Sequence, residues 1–143
     1  MTRHESREQA FLILFAQNFG NEPADAVIEA AEEARQVKLS DFARALVDGV
    51  YEHKAELDGK ISAHSANWNV DRISRVALTA MRLAAFELMF LPDIPVSVSI
   101  NEAVEIAKRY GGEEDASFLN GVLGGLSREP GAICAKTDDG SDA

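Results

Sequence analysis

Apolar positions recur at spacings of three and four along most of the chain, broken into segments by glycines and prolines. Ala10, Phe11, Leu14, Phe15 and Asn18 share one face and predict a first helix from about Arg3 to Phe19, closed by Gly20-Asn21 ahead of Pro23. Ala24 to Arg35 is rich in Ala and Glu and reads as a solvated helix covering little core. Ser40 or Asp41 caps a third helix with Phe42, Leu46 and Val50 as its buried stripe, and a short fourth helix carrying Leu57 and Ile61 follows a bend near Gly59. A polar loop, His64 to Val70, contains Trp68. Asp71 then opens the most apolar helix, from about Arg72 to Phe90, with apolar groups on nearly every side, as expected of a central helix.

Pro92 and Pro95 stop that helix. Ser99-Ile100-Asn101-Glu102 reads as a capping box starting a sixth helix through Ala103, Val104, Ile106, Ala107 and Tyr110, which Gly111-Gly112 ends. A last helix spans about Glu113 to Leu126, with Phe118, Leu119, Val122, Leu123 and Leu126 turned inward. No useful β-alternation and no internal repeat interrupts this pattern, so the fold class is all-α with about seven helices.

Composition narrows the picture. With 143 residues, 46% of them apolar, the chain can bury one core, assigned to residues 1–130; the polar, acidic stretch 131–143 is expected to be a disordered tail. Cys134 has no second cysteine to pair with, no apolar run reaches membrane-spanning length, and Met1 to Glu5 lack a signal peptide's apolar stretch. A cytoplasmic protein is expected.

The net charge is −10, from 14 basic and 24 acidic residues, which taken alone disfavours a polyanion as ligand. The excess is local. Residues 21–66 carry five basic and ten acidic groups and residues 112–143 two and seven, whereas residues 1–20 (two and two) and 67–111 (five and five) are neutral. A polyanion can therefore meet the neutral surfaces while the acidic blocks face away.

Catalytic chemistry has no constellation to rest on. His4, His53 and His64 lie at no metal-ligand spacing from one another or from Cys134. Glu102 and Glu105 fit a capping residue followed by a solvated face. Neither Gly111-Gly112 nor Gly121-x-x-Gly124-Gly125 has the context of a phosphate loop. The expectation is a binding protein, not an enzyme, with no metal and no cofactor.

The run Ile94-Pro95-Val96-Ser97-Val98-Ser99-Ile100-Asn101-Glu102-Ala103-Val104-Glu105-Ile106-Ala107-Lys108-Arg109-Tyr110-Gly111 resembles the signature of the NusB family, bacterial transcription antitermination factors. Phe118-Leu119-Asn120-Gly121-Val122-Leu123 resembles its second signature at the expected spacing. Asn67-Trp68, Asp71-Arg72-Ile73, the segment Met81 to Leu88 and the segment Arg7 to Phe15 resemble further family elements, so the likeness extends over about residues 3–128. It implies two small packed helical bundles that bind boxA RNA together with NusE, a ribosomal protein, within the RNA polymerase antitermination complex on ribosomal RNA operons.

Carried over to this chain, the resemblance implies RNA contact by Arg3, His4, Arg7, Lys108, Arg109, Phe118 and Asn120, and NusE contact by Phe15, Phe86 and Glu87. This chain departs from the family where Glu5 and Glu8 interrupt the N-terminal basic cluster, where Phe15 and Phe86 replace tyrosines, where Ala77 and Leu78 replace an acidic and a basic residue, and where Gly124 replaces an aspartate. Two other readings follow from the same residues. One is an RNA-targeting helical domain related to that of ribosomal RNA cytosine methyltransferases. The other is an RNA-silent homologue that self-associates, as a homodimer for instance.

Overall fold

The computed structural model describes residues 1–16, 23–66 and 72–137. Among these the chain forms six helices: α1 (Arg3–Ala16), α2 (Ala24–Arg35), α3 (Asp41–Ala63), α4 (Arg75–Phe90), α5 (Val96–Tyr110) and α6 (Glu113–Arg128). The all-α class is as expected, with six helices in place of about seven. Asn18, Trp68 and Asp71 lie outside the described residues.

The missing helix is a merger. Gly59 does not bend the chain: α3 runs through it, and the break falls at His53, whose backbone leaves the helical region (φ −110°, ψ 17°) while its ring stacks on Phe90 at 4.1 Å. Of the two proposed caps, Ser40 is the one used, its Oγ accepting from the Ala43 N–H at 3.1 Å.

The α4 helix is the hub. Every residue from Ala77 to Met89 is buried, and the helix packs against α1, α3, α5 and α6. Its cap is Ser74, accepting from the Ala77 N–H at 3.1 Å, so it starts three residues after the expected opening at Arg72. The two expected bundles both draw on this helix: α1 and α3 pack on it, with α2 on α3, and so do α5 and α6. Fully buried Phe11, Leu14, Leu46, Met81, Leu88, Leu119 and Leu123 fill the joint, each contributing about 1.5–3 kcal/mol by burial.

The capping box at Ser99 is not used. Helix α5 begins three residues earlier, at Val96, with Pro95 ahead of it at φ −62°, a backbone angle already suited to helix entry. Ser99 is buried one turn inside, where its Oγ donates to Glu87 Oε1 at 2.7 Å. At the far end the double glycine acts as expected: the N–H groups of Gly111 and Gly112 both reach the Ala107 carbonyl at 2.8 Å, and Gly112 sits at φ +126°, which strongly favours glycine.

Residues 131–137, at the start of the expected tail, are among the described residues. They lie along the end of α4: the Cys134 N–H donates to the Leu88 carbonyl, the Thr137 N–H to the Pro92 carbonyl at 2.8 Å, and Lys136 Nζ to the carbonyls of Glu87 and Leu91. Lys136 thus serves the last carbonyls of α4. Residues 138–143 lie outside the described residues.

Candidate nucleic-acid interface

Helix α1 lies along α5, and their polar edges meet residue by residue. Arg3 reaches Asp93 at 3.4 Å and stacks over Phe42 at 4.5 Å. His4 Nδ1 meets Glu102 Oε1 at 2.7 Å, and Arg109 meets Glu8 at 2.6 Å, with the Tyr110 hydroxyl donating to the same Glu8 oxygen at 2.8 Å. Glu102 holds the His4 imidazolium, raising its pKa above the ordinary 6.5, first by hydrogen bonding and then by charge. Burial, with the bond to Glu8, raises that of Tyr110.

Beyond α5 the surface continues into a shallow groove between α5 and α6, about 250 Å³, lined by Asn101, Val104, Lys108, Glu113, Ser117 and Asn120. Helical spacing explains the lining. Asn101, Val104 and Lys108 lie at i, i+3 and i+7 on α5, and Glu113, Ser117 and Asn120 at i, i+4 and i+7 on α6.

The structure therefore gathers Arg3, His4, Lys108, Arg109 and Asn120 along the outer sides of α1, α5 and α6, all of them exposed. It does not place Arg7 there. Arg7 is 5% exposed and grips Glu87, Nε to Oε2 at 2.7 Å and Nη2 to Oε1 at 3.1 Å, with Glu102 a further 3.7 Å away. The physical reason is Glu87 itself: a carboxylate on the hub helix needs a guanidinium, and Arg7 faces it across the α1–α4 contact. Phe118 also parts from Asn120. Two positions apart on a helix, they point to different sides, and Phe118 lines a separate cavity of about 270 Å³ with Arg72, Ile73, Ser74, Ala77 and Asp115.

The three residues implied for partner contact are not brought together either. Glu87 is 1% exposed and turned toward α1 and α5; Phe86 is 8% exposed and pressed on α3. Gly49 makes room for that ring, since a Cβ there would collide with it. Phe15 is half-buried, stacked on Phe11 at 5.5 Å under the Arg75 guanidinium, which also donates to the Phe15 carbonyl. Of these, Phe15 alone keeps substantial exposed surface. Asn101 and Ser117 join the groove lining although the sequence pointed to neither; for Asn101 the i, i+7 spacing from Lys108 on α5 was the available signal.

Among the described residues no group of three or more His, Cys, Asp or Glu side chains could hold a metal ion, and no helix is long and apolar enough to cross a membrane.

Comparison with known proteins fixes the family. The NusB family model matches residues 4–128. The chain belongs to the NusB family. The transcription antitermination protein NusB of Oceanobacillus iheyensis is 43% identical over 123 residues, covering 86% of this chain and 96% of its own length. That of Trichlorobacter lovleyi is also 43% identical, over 142 residues, covering 98% and 96%. Among solved structures, T. maritima NusB superposes with a TM-score of 0.78 at 35% identity, covering 90% of this chain and 92% of that one. A crystal structure of antitermination factors NusB and NusE in complex with dsRNA gives a TM-score of 0.75 at 30% identity, covering 89% and 98%. NusB-family membership makes this a non-enzymatic protein of the transcription machinery.

Proposed function

We propose that this chain is a transcription antitermination factor that binds boxA RNA together with NusE and so supports ribosomal RNA transcription by RNA polymerase. The observation that carries the reading is its likeness, across 89% of its length, to the NusB of a NusB–NusE–dsRNA complex. The outer sides of α1, α5 and α6 supply an RNA surface of Arg3, His4, Lys108, Arg109 and Asn120, with Phe118 on the neighbouring cavity and half-buried Phe15 as the ring for NusE. The two acidic blocks part ways: α2, with Asp25, Glu29, Glu32 and Glu33, packs on α3 and α1, whereas Glu113, Glu114 and Asp115 open α6, with Glu113 on the groove itself.

The test is a titration of boxA RNA with and without NusE. The expected result is preferential binding of boxA over a scrambled RNA, tightened by NusE. With about three phosphate contacts, the log–log salt slope should be about −2. Absence of any boxA preference in either titration would remove the reading. Dimerisation in place of NusE binding would favour a self-associating homologue instead.

A further inference from the structure

Three of the four basic groups gathered on this face already have carboxylate partners: Arg3 with Asp93, His4 with Glu102, and Arg109 with Glu8. A phosphate that takes any of them competes with an internal carboxylate, although each pair is exposed and so individually weak. Lys108 differs: among the described residues it has no ion-pair partner, and Asn101, Ser117 and Asn120 beside it make no side-chain hydrogen bonds. Four polar side chains with unspent donors and acceptors thus line one groove between α5 and α6, on helices fixed by buried Ala103, Ile106, Ala107, Ala116 and Leu119.

We infer that this groove is a base-reading subsite, seating one unpaired nucleotide of single-stranded RNA. Asn101 and Asn120 hydrogen-bond the base edge, Ser117 assists, and Lys108 meets the adjoining phosphate. The amides suit this role because each offers a carbonyl acceptor and an NH₂ donor, the pairing that reads base edges. Sequence-specific RNA recognition targets unstacked bases whose edges are free. The volume, about 250 Å³ and open to solvent, lies just below the ~300 Å³ lower end of small-molecule sites, so it fits a single base better than a whole cofactor. Glu113 on the rim excludes a second phosphate and favours contact through the base. The inference rests on the RNA-binding reading above and assigns part of its specificity to residues of α5 and α6 rather than to the N-terminal cations.

The test uses the full chain with NusE, a fluorescent boxA RNA and a panel of the same RNA with one base changed in each. Asn101→Ala and Asn120→Ala should each weaken boxA binding about tenfold while flattening discrimination at one base position. Lys108→Ala should weaken all panel members alike and reduce the salt slope by about 0.7. Melting curves and NusE binding should be unchanged, because these side chains are exposed. If the wild type binds boxA and both amide variants keep its affinity and base preferences, the subsite is wrong while the family reading stands. Loss of NusE binding rather than RNA binding would also overturn it, marking the groove as a protein contact. If the wild type shows no RNA preference, both readings fall together.

Discussion

Arg7 and Lys108 are both cations that the family resemblance points toward RNA, and the fold treats them in opposite ways. Arg7 lies in the seam between α1, α4 and α5, its guanidinium bidentate on buried Glu87, which also accepts from Ser99. Lys108 stands in the open groove between α5 and α6. The seam uses charge to fix how three helices meet, and the groove leaves polar groups free for a ligand. Reading a cation as phosphate-binding thus requires knowing which carboxylates the fold brings beside it, and no spacing in the sequence states that.

The strongest test breaks the seam. Glu87→Ala should cost about 3–5 kcal/mol, read as a fall in the urea midpoint, because it leaves the Arg7 guanidinium buried without its main counter-charge. Against a typical domain stability of about 5–15 kcal/mol this approaches unfolding. The double variant Arg7→Met with Glu87→Met should recover most of the loss, since well-packed apolar groups replace a buried pair at little cost. A Glu87→Ala protein as stable as wild type would mean that Arg7 finds other partners, and the contrast with Lys108 would lose its basis.

The other side of α4 gives the second test. Gly49→Ala drives a methyl group into the Phe86 ring, which is held between α3 and Phe90 at a centroid distance of 5.5 Å. Overpacking of this kind costs about 1–3 kcal/mol, and thermal melting should show it. Phe86→Leu in the same background should relieve part of it. RNA affinity measured well below the melting point should not change, because Gly49 and Phe86 are buried away from the groove.

The periodicity of the chain made the helices legible, and α4 was recognisable as the hub from its apolar positions alone. The errors have local causes. Ser99 and Glu102 have the spacing of a capping box, which places the start of α5 at Ser99; in the fold Ser99 lies one turn inside, where its hydroxyl donates to Glu87 across the helices. Gly59 looked like a bend because glycine weakens helices, but the turn is set by His53 stacking on Phe90, a tertiary contact. For the interface, helical spacing could place Lys108 and Asn120 on their faces. It could not reveal that Arg3, His4 and Arg109 each meet a carboxylate from elsewhere in the chain, or that Phe118 and Asn120 serve different surfaces.

A smaller effect sharpens the groove side of the comparison. Gly121 is exposed within α6, and a Cβ there would touch nothing within 4 Å. Gly121→Ala should therefore stabilise the protein by about 0.5–1 kcal/mol through helix propensity. Gly124→Ala should gain less, because its Cβ would lie 3.2 Å from an Arg128 guanidinium nitrogen that must move aside. RNA affinity should stay within about twofold for Gly121→Ala if the ligand approaches α6 through Asn120 and Ser117 side chains. A stabilised protein that loses RNA would show close backbone approach at Gly121 and extend the interface along α6.

The subtlest test lies at the junction of seam and surface, where Glu102 touches both His4 and Arg7. Glu102 raises the pKa of His4 above 6.5 in the folded protein. A group held more basic by folding contributes stability that is fully present below its unfolded pKa and is lost as pH rises through the higher folded value. The His4–Glu102 contribution should therefore be complete below about pH 6.5 and fade above it. His4 is half exposed, so the change in stability is small, and the sensitive measurement is an NMR titration of the imidazole. Glu102→Gln should return the His4 midpoint toward 6.5. The same variant should move Arg7 little, because Glu87 holds it at 2.7 Å against 3.7 Å for Glu102. If instead the variant destabilised the protein as much as Glu87→Ala, Glu102 would belong to the seam, and the line between buried and ligand-facing charge would have to be drawn outside His4.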